Sequence, residues 1–418
     1  MSFILIAIFI LGYLLITIEH KININKAAIA LLTGVICWTV YILSNSNPES
    51  VVHELIEHLG DISQILFFLL GAMTIVELID SYNGFDVISK QIKTTNKRTL
   101  LITVSFITFF LSAILDNLTT TIVMVTLVKK LLENKEDRWL FAGMIIIAAN
   151  AGGAWTPIGD VTTTMLWIGG QISATNIMQK LFIPSLISMI VPLLLISRIV
   201  KGKIEKTSFI TETKIPNYQK NIVFYLGISA LVFVPIFKSI THLPPFMGIL
   251  IGLAVLWIVT EYLDRKKEND EKISVTHALK KIDTPSILFF LGILMSVATL
   301  QSTGILSNLA SSLSENIGDL KIISISLGIL SAIIDNVPLV AASMGMYDLQ
   351  TYPMDHYFWE FIAYCAGTGG SILIIGSAAG VAAMGLEKID FFWYLKKISL
   401  YALIGYLVGG GAYILLFT

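Results

Sequence analysis

Ser112-Ala113-Ile114-Leu115-Asp116-Asn117 returns as Ser331-Ala332-Ile333-Ile334-Asp335-Asn336, 219 residues further along the chain. Five of the six positions are identical, and both copies are embedded in apolar sequence. Each therefore puts a carboxylate and a carboxamide where a membrane helix ordinarily carries hydrocarbon. An ionisable group at that depth costs on the order of 3 kcal/mol even on lenient insertion scales, so it reads as functional. Two such groups at matching places in two halves are the mark of a transporter built from repeats.

The composition agrees. Of 418 residues, 55% are hydrophobic and only 14% charged, and the mean hydropathy is +0.79. A soluble domain would carry about a quarter charged residues. Uninterrupted apolar spans are predicted at 2–18, 27–44, 62–80, 178–200, 221–238, 245–263, 284–303 and 391–416, which makes the chain an all-α polytopic membrane protein. The first span lacks a basic flank and a small-residue cleavage site, so it reads as a membrane segment rather than a signal peptide. Net charge is −1 with no basic run, which argues against nucleic acid as a partner. Cys37 and Cys365 sit in apolar spans and give no disulfide framework. No phosphate-binding loop occurs and no loop has room for a nucleotide domain, so no nucleotide or cofactor is expected.

Four apolar stretches are broken. The Asp-Asn phrases interrupt 99–132 and 321–347, and each stretch fits a re-entrant helical hairpin. The stretches 139–170 and 356–386 are broken by Gly, Pro, Thr and Asp. Irregular backbone at membrane depth is tolerated only inside protein or beside a watery cavity. With the N-terminus outside and both hairpins returning to their side of entry, 25 of the 28 basic residues fall on the inner side; Lys180, Lys238 and Lys321 do not. The bias of basic residues toward inner loops supports this orientation, with both termini outside, periplasmic if the membrane is a bacterial inner one.

Two further markers extend the repeat: Ile65–Leu69 with Ile287–Leu291, and Gly152, Gly153, Gly159 with Gly369, Gly370, Gly376. The predicted organisation is two N-terminal membrane helices with an outer amphipathic helix (1–60), a first repeat (61–200), connecting helices (201–282) and a second repeat (283–418). An odd number of crossings between the copies makes them inverted.

The chemistry follows from the breaks. Asp116-Asn117 precedes Thr119 and Thr120. The segment Asn150 to Thr164 holds Gly153, Thr156, Pro157, Asp160, Thr162 and Thr163. Broken helices expose carbonyl oxygens, and carboxylate, amide, hydroxyl and carbonyl oxygens together suit a small hard cation. The second copy has Gly370, Ser371 and Ser377, with Leu373 and Ile374 where the first has Thr156 and Pro157, and Ser377 in place of Asp160. Asp116, Asp160 and Asp335 are expected to form one shared site with Asn117, Asn150 and Asn336, supported by these Thr, Ser and Gly residues and by Ser331. The hydroxyls fit helix packing as readily as ligation, and the glycines fit close helix contact. Burial favours the protonated carboxyl, so cation and proton would compete there. No Lys or Arg is predicted in this core, which counts against an anion carrier for dicarboxylate or arsenite. Glu77 and Asp80 read as interfacial. His53-Glu54-Leu55-Ile56-Glu57-His58 has the wrong spacing for a zinc peptidase helix.

These motifs resemble the NhaD-type sodium/proton antiporters of the ion transporter superfamily. The resemblance rests on Leu115–Thr121, Asn150–Asp160 and Ser331–Pro338. It implies two re-entrant hairpins, two broken helices, a homodimer in the lipid bilayer, and Na⁺ or Li⁺ expelled against protons, with a part in salt tolerance and pH homeostasis. Asp116 and Asp160 are the expected direct ligands of the cation, with Asp335 next and with Asn117 and Asn336 capping helix ends or ligating; the cation is expected at Asp116, Asn117 and Asp160.

Overall fold

The computed structural model describes residues 1–17, 19–22, 24–89, 94–203, 215–265 and 273–418; Lys90, Lys93 and several basic residues of the longer inner loops lie outside them. Among the described residues the secondary structure is helical throughout. Helices α1 (Ser2–Thr17), α2 (Glu19–Ile22) and α3 (Lys26–Ser44) open the chain, α3 being capped by Asn25, whose side chain accepts from Ala27 N. Then come α4 (Pro48–Ser81), the short α5 (Asp86–Ser89), α6 (Lys97–Leu115) and α7 (Asn117–Leu131), and α8 (Lys135–Gly153) and α9 (Val161–Ile168). Helices α10 (Ala174–Ser197), α11 (Asn217–Thr241), α12 (Pro245–Asp264) and α13 (Val275–Lys281) lead to α14 (Thr284–Ser302) and α15 (Ile305–Asn316). The chain closes with α16 (Leu320–Leu330) and α17 (Asn336–Met346), α18 (Tyr357–Gly369) and α19 (Ala378–Glu387), and α20 (Phe391–Lys397) and α21 (Ser399–Phe417).

Eight of these, α3, α4, α6, α10, α11, α12, α14 and α21, are long and apolar enough to cross a bilayer. Large apolar side chains stay exposed along them, Leu43 at 81% and Ile258 at 69% among them, as expected of faces solvated by lipid. The protein is an all-α polytopic membrane protein.

Three sequence expectations change. The outer helix predicted before Gly60 is not separate: Pro48 starts a 34-residue helix that runs unbroken into the membrane span. A lone glycine costs a helix only about 1 kcal/mol, so Gly60 does not end it. The span predicted over 391–416 divides at Ile398, with no glycine or proline to mark the division. The span predicted over 2–18 forms as α1, a 16-residue helix shorter than the eight. Helix α15, which the hydropathy pattern hides, begins after Gly304 at φ 73.

Both phrase-bearing stretches double back. Lys97 Nζ, at the start of α6, lies 2.6 Å from Asp137 Oδ2, in the first turn of α8, which follows α7. Helices α16 and α17 lie together against α18, and Tyr347, just after α17, packs its ring 4.6 Å from that of Phe358. Matching residues make matching contacts. Ser112 Oγ donates to Ala149 O (2.6 Å), as Ser331 Oγ does to Ala366 O (3.0 Å). A Cβ added to Gly152 would meet Phe109 O at 2.1 Å, and one on Gly369 would meet Gly328 O at the same distance. Arg138 Nε reaches Glu387 Oε2 (2.8 Å), so α8 begins where α19 ends. At the opposite end Ser173 N donates to Asp355 Oδ1 (2.6 Å), so α18 begins where α9 ends. The two broken helices thus run antiparallel, with their breaks side by side.

Candidate functional site: a hydrogen-bonded network at two helix breaks

The break between α8 and α9 falls where Pro157 and the nearby glycines together disfavour a continued helix. Asp160 restarts one as the N-cap of α9, its Oδ1 accepting from Thr162 N (2.9 Å) and Thr162 Oγ1 (2.8 Å). Thr163 Oγ1 donates to the Asp160 carbonyl and Thr156 Oγ1 to Ala113 O (2.7 Å), which fastens the break to the first hairpin. Gly153 and Gly370 stand where an added Cβ would come within 2.3 Å of Gly159 O and 2.9 Å of Gly376 O, so here glycine serves close backbone approach.

At the hairpin tip one residue separates α6 from α7. Asp116 makes that turn at φ 97, ψ 160, a conformation almost reserved for glycine, which costs a residue with a Cβ about 1–3 kcal/mol. Its carboxylate caps α7, accepting from Thr119 N (2.7 Å) and Thr119 Oγ1 (2.9 Å). The second copy turns differently. Five residues separate α16 from α17, and Asp335 caps α17 at an unstrained φ −48, ψ 135.

The four elements meet around Asp160, which is 2% exposed. Its Oδ2 accepts from Asn117 Nδ2 (2.6 Å), on the first hairpin, and from Asn336 Nδ2 (3.4 Å), on the second. Asn117 Nδ2 also reaches Asn150 Oδ1 (3.0 Å), and Asn150 Nδ2 donates to Ser371 Oγ (3.2 Å) and Ser377 Oγ (2.9 Å) in the other break. One network therefore spans both copies, and Asp160 receives four donors, as many as a carboxylate accommodates. The buried Thr120 Oγ1 and Thr121 Oγ1, one turn along α7, have no hydrogen-bond partner among the described residues. Unpaired hydroxyls beside carboxylate and amide oxygens provide the kind of donors that a hard cation takes.

The three carboxylates make different contacts. Among the described residues no three acidic, imidazole or thiol groups converge on a metal-sized space. Asp160 sits in the network. Asp116 turns to its own Thr119 and lines a cavity of about 20 Å³ shared with Ile158, Val161 and Thr164. Asp335 Oδ2 lies 3.4 Å from Lys26 Nζ. That contact overturns the expectation of a core without basic residues. Lys26 opens α3, where it reads in sequence as an ordinary interfacial lysine, and its partner lies 309 residues away, so no local pattern reports it.

A larger cavity, about 320 Å³, leads toward the site and is lined by Lys26, Glu77, Asp80, Thr119, Lys281 and Asp283. Glu77 and Asp80, which read as interfacial in sequence, face this space, and Glu77 pairs with Lys281 at 3.4 Å. His58, from the dismissed His-Glu segment, contacts Ser302 Oγ at 3.1 Å.

Comparison with known proteins follows the same lines. The family model described as citrate transporter matches residues 13–360. Sodium/proton antiporter 1 of Arabidopsis thaliana is 52% identical over 409 residues, covering 97% of this chain and 71% of its own. The Na⁺/H⁺ antiporter NhaD of Alkalimonas amylolytica is 31% identical over 94% of this chain and 86% of its own. The NhaD of Vibrio cholerae is 31% identical over 96% and 89%. The hairpin tips, the paired breaks and these similarities place the chain in the citrate transporter family, among its NhaD-type sodium/proton antiporters.

Proposed function

We propose that the protein is a secondary transporter, not an enzyme, that exchanges cytoplasmic Na⁺ or Li⁺ for external H⁺ by alternating access. The observation that carries this reading is the convergence of Asn117 and Asn336, one from each hairpin, on the same oxygen of Asp160. A group bonded by both copies feels any movement of one against the other.

In the structure both amides donate to the carboxylate. A carboxamide that rotates offers its oxygen instead, so Asn117 and Asn150 can turn from donors to ligands when a cation arrives. Asp116, Asn117 and Asp160 would hold the cation, with Asn150, Thr120 and the break carbonyls in support. An unneutralised buried carboxylate is costly, so an empty, charged site does not reorient readily. Each crossing then carries either cation or protons, and coupling follows. The acidic groups bind protons as a coupled set rather than singly. The cavity bordered by Glu77 and Asp80 would be the cytoplasmic approach. Two inverted copies, a homodimer in a cell membrane, both termini outside, and service in salt tolerance and pH homeostasis complete the reading.

One observation favours a second reading. Lys26 puts a positive charge near the breaks, and half-helix N-termini attract anions, so transport of a di- or tricarboxylate is the alternative. Asp116 and Asp160, with no basic group within 4 Å among the described residues, oppose it. Purified protein in sealed vesicles with an acidic interior, given external Na⁺, Li⁺, K⁺ or succinate, decides the matter. Antiport predicts dye-reported proton efflux on adding Na⁺ or Li⁺. An anion carrier leaves the cations without effect and takes up labelled succinate.

A further inference from the structure

Lys26 belongs to α3, outside both copies of the repeat. Its Nζ lies 3.4 Å from Asp335 Oδ2 and 4.4 Å from the centre of the Phe289 ring, at the rim of the 320 Å³ cavity. The ammonium is thus held by a carboxylate on one side and an aromatic face on α14 on the other. The two side chains are only 24% and 18% exposed, so water screens the pair weakly. Asp116 and Asp160 have no such neighbour among the described residues. Of the three phrase and break carboxylates, only Asp335 already has its positive charge supplied by the protein.

We propose that Lys26 is a built-in counter-cation for Asp335, keeping that carboxylate out of cargo binding and confining the transported ion to Asp116, Asn117 and Asp160. This rests on the antiport reading. A carboxylate that holds an ammonium exerts little net attraction on a second monovalent cation, because the pair is neutral from a distance. The two copies of the phrase then divide the work: the first binds cargo, and the second, clamped from α3, supplies Asn336 to the site and a fixed charge beside it. Lys26 is a positioning residue that acts through Asp335.

The test measures KM for Na⁺ and turnover in the vesicle exchange assay. The proteins are wild type, Lys26→Gln, Lys26→Arg, Asp335→Asn and the Lys26→Gln/Asp335→Asn double variant, each checked for melting temperature and elution as a folded species. Lys26→Gln leaves Asp335 uncompensated, so KM for Na⁺ is expected to fall several-fold while turnover drops through slow release. Arginine preserves the charge and should restore both values toward wild type. The neutral double variant should recover KM and turnover relative to Lys26→Gln. Wild-type kinetics in Lys26→Gln, or a double variant no better than that single one, overturns the proposal. So does an Asp335→Asn protein that loses Na⁺ dependence as completely as Asp160→Asn. If Lys26→Gln does not fold, the arginine and double variants still decide. A wild type without any Na⁺ response would instead defeat the antiport reading itself, and the proposal with it.

Discussion

Asn117 Nδ2 stands 2.6 Å from Asp160 Oδ2, and this one bond joins the tip of the first hairpin to the break of the helix that follows it. The same amide bonds Asn150, so Asn117 sits at the branch point of the network. A hydrogen bond to a charged group is worth about 1.5–3 kcal/mol. Asn117→Ala should therefore weaken apparent Na⁺ affinity by roughly 10- to 100-fold. A Na⁺ titration of proton release checks it; unchanged affinity would mean the amide only packs.

Asp116 combines a carboxylate proposed to hold the cation with a backbone suited to glycine. Asp116→Gly relieves the strain while deleting the charge, whereas Asp116→Ala deletes the charge and keeps the strain. The glycine variant should be the more stable of the two by about 1–3 kcal/mol, with exchange lost in both. Melting temperatures in detergent measure the difference. An alanine variant as stable as the glycine one would show that the turn is not strained.

Gly152 and Gly369 make the same approach in the two copies, each with a carbonyl oxygen 2.1 Å from where a Cβ would stand. Alanine at either position should block folding or cost several kcal/mol by forcing the hairpin away from the broken helix. Gly411→Ala, with nothing within 4 Å, should be tolerated. Yields of monodisperse protein from the three variants provide the comparison.

Arg138 meets Glu387, whose side chain is 2% exposed, at 2.8 Å, locking α8 to the end of α19. Arg138→Ala leaves the buried carboxylate with only the more exposed Lys129, 3.8 Å away, and should cost about 1–3 kcal/mol. Pairing it with Glu387→Gln should recover much of that loss, and thermal unfolding of the single and double variants tests the point. A double variant no more stable than Arg138→Ala would refute it.

His356 stands at the outer edge of the 356–386 stretch, before α18 begins, and is that helix's N-cap, its Nδ1 accepting from Phe358 N at 3.3 Å. Burial lowers its pKa from the ordinary 6.5. A depressed folded-state value means that the stability His356 lends is complete above about pH 6.5 and lost as pH falls through the lowered value. Protonation also removes the accepting nitrogen. Protection factors at the start of α18, which correct for the intrinsic slowing of exchange in acid, should thus fall below pH 6.5 in wild type, and lose that dependence in His356→Asn. The same acid response in the variant would place the titrating group elsewhere.

The parts of this architecture that involve expensive groups are legible in sequence. Asp, Gly and Pro inside apolar runs mark where helices stop, because nothing cheap explains them there: α6 gives way to α7 at Asp116, and α8 to α9 around Pro157. Asn150 and Asp160, on either side of the break, both bond the Asn117 amide. What stays hidden is whatever depends on distance or on local turns. Lys26 looks like any helix-initiating lysine until α3 packs along α14 and brings it to Asp335. Two nearly identical phrases turn through one residue at Asp116 and through five before Asn336, since the residues after them differ: Leu-Thr-Thr in one, Val-Pro-Leu in the other. Gly60 looks like a boundary and is not one, because a single glycine is a weak breaker.

The central claim is that cation and proton share Asp160 and its neighbours. Calorimetric titration of purified protein with Na⁺ in two buffers of different ionisation enthalpy measures it directly, counting the protons released per ion bound. The account predicts that Na⁺ binding releases protons in wild type and that both binding and release vanish in Asp160→Asn. Na⁺ binding without proton release, or undiminished binding in Asp160→Asn, would contradict it.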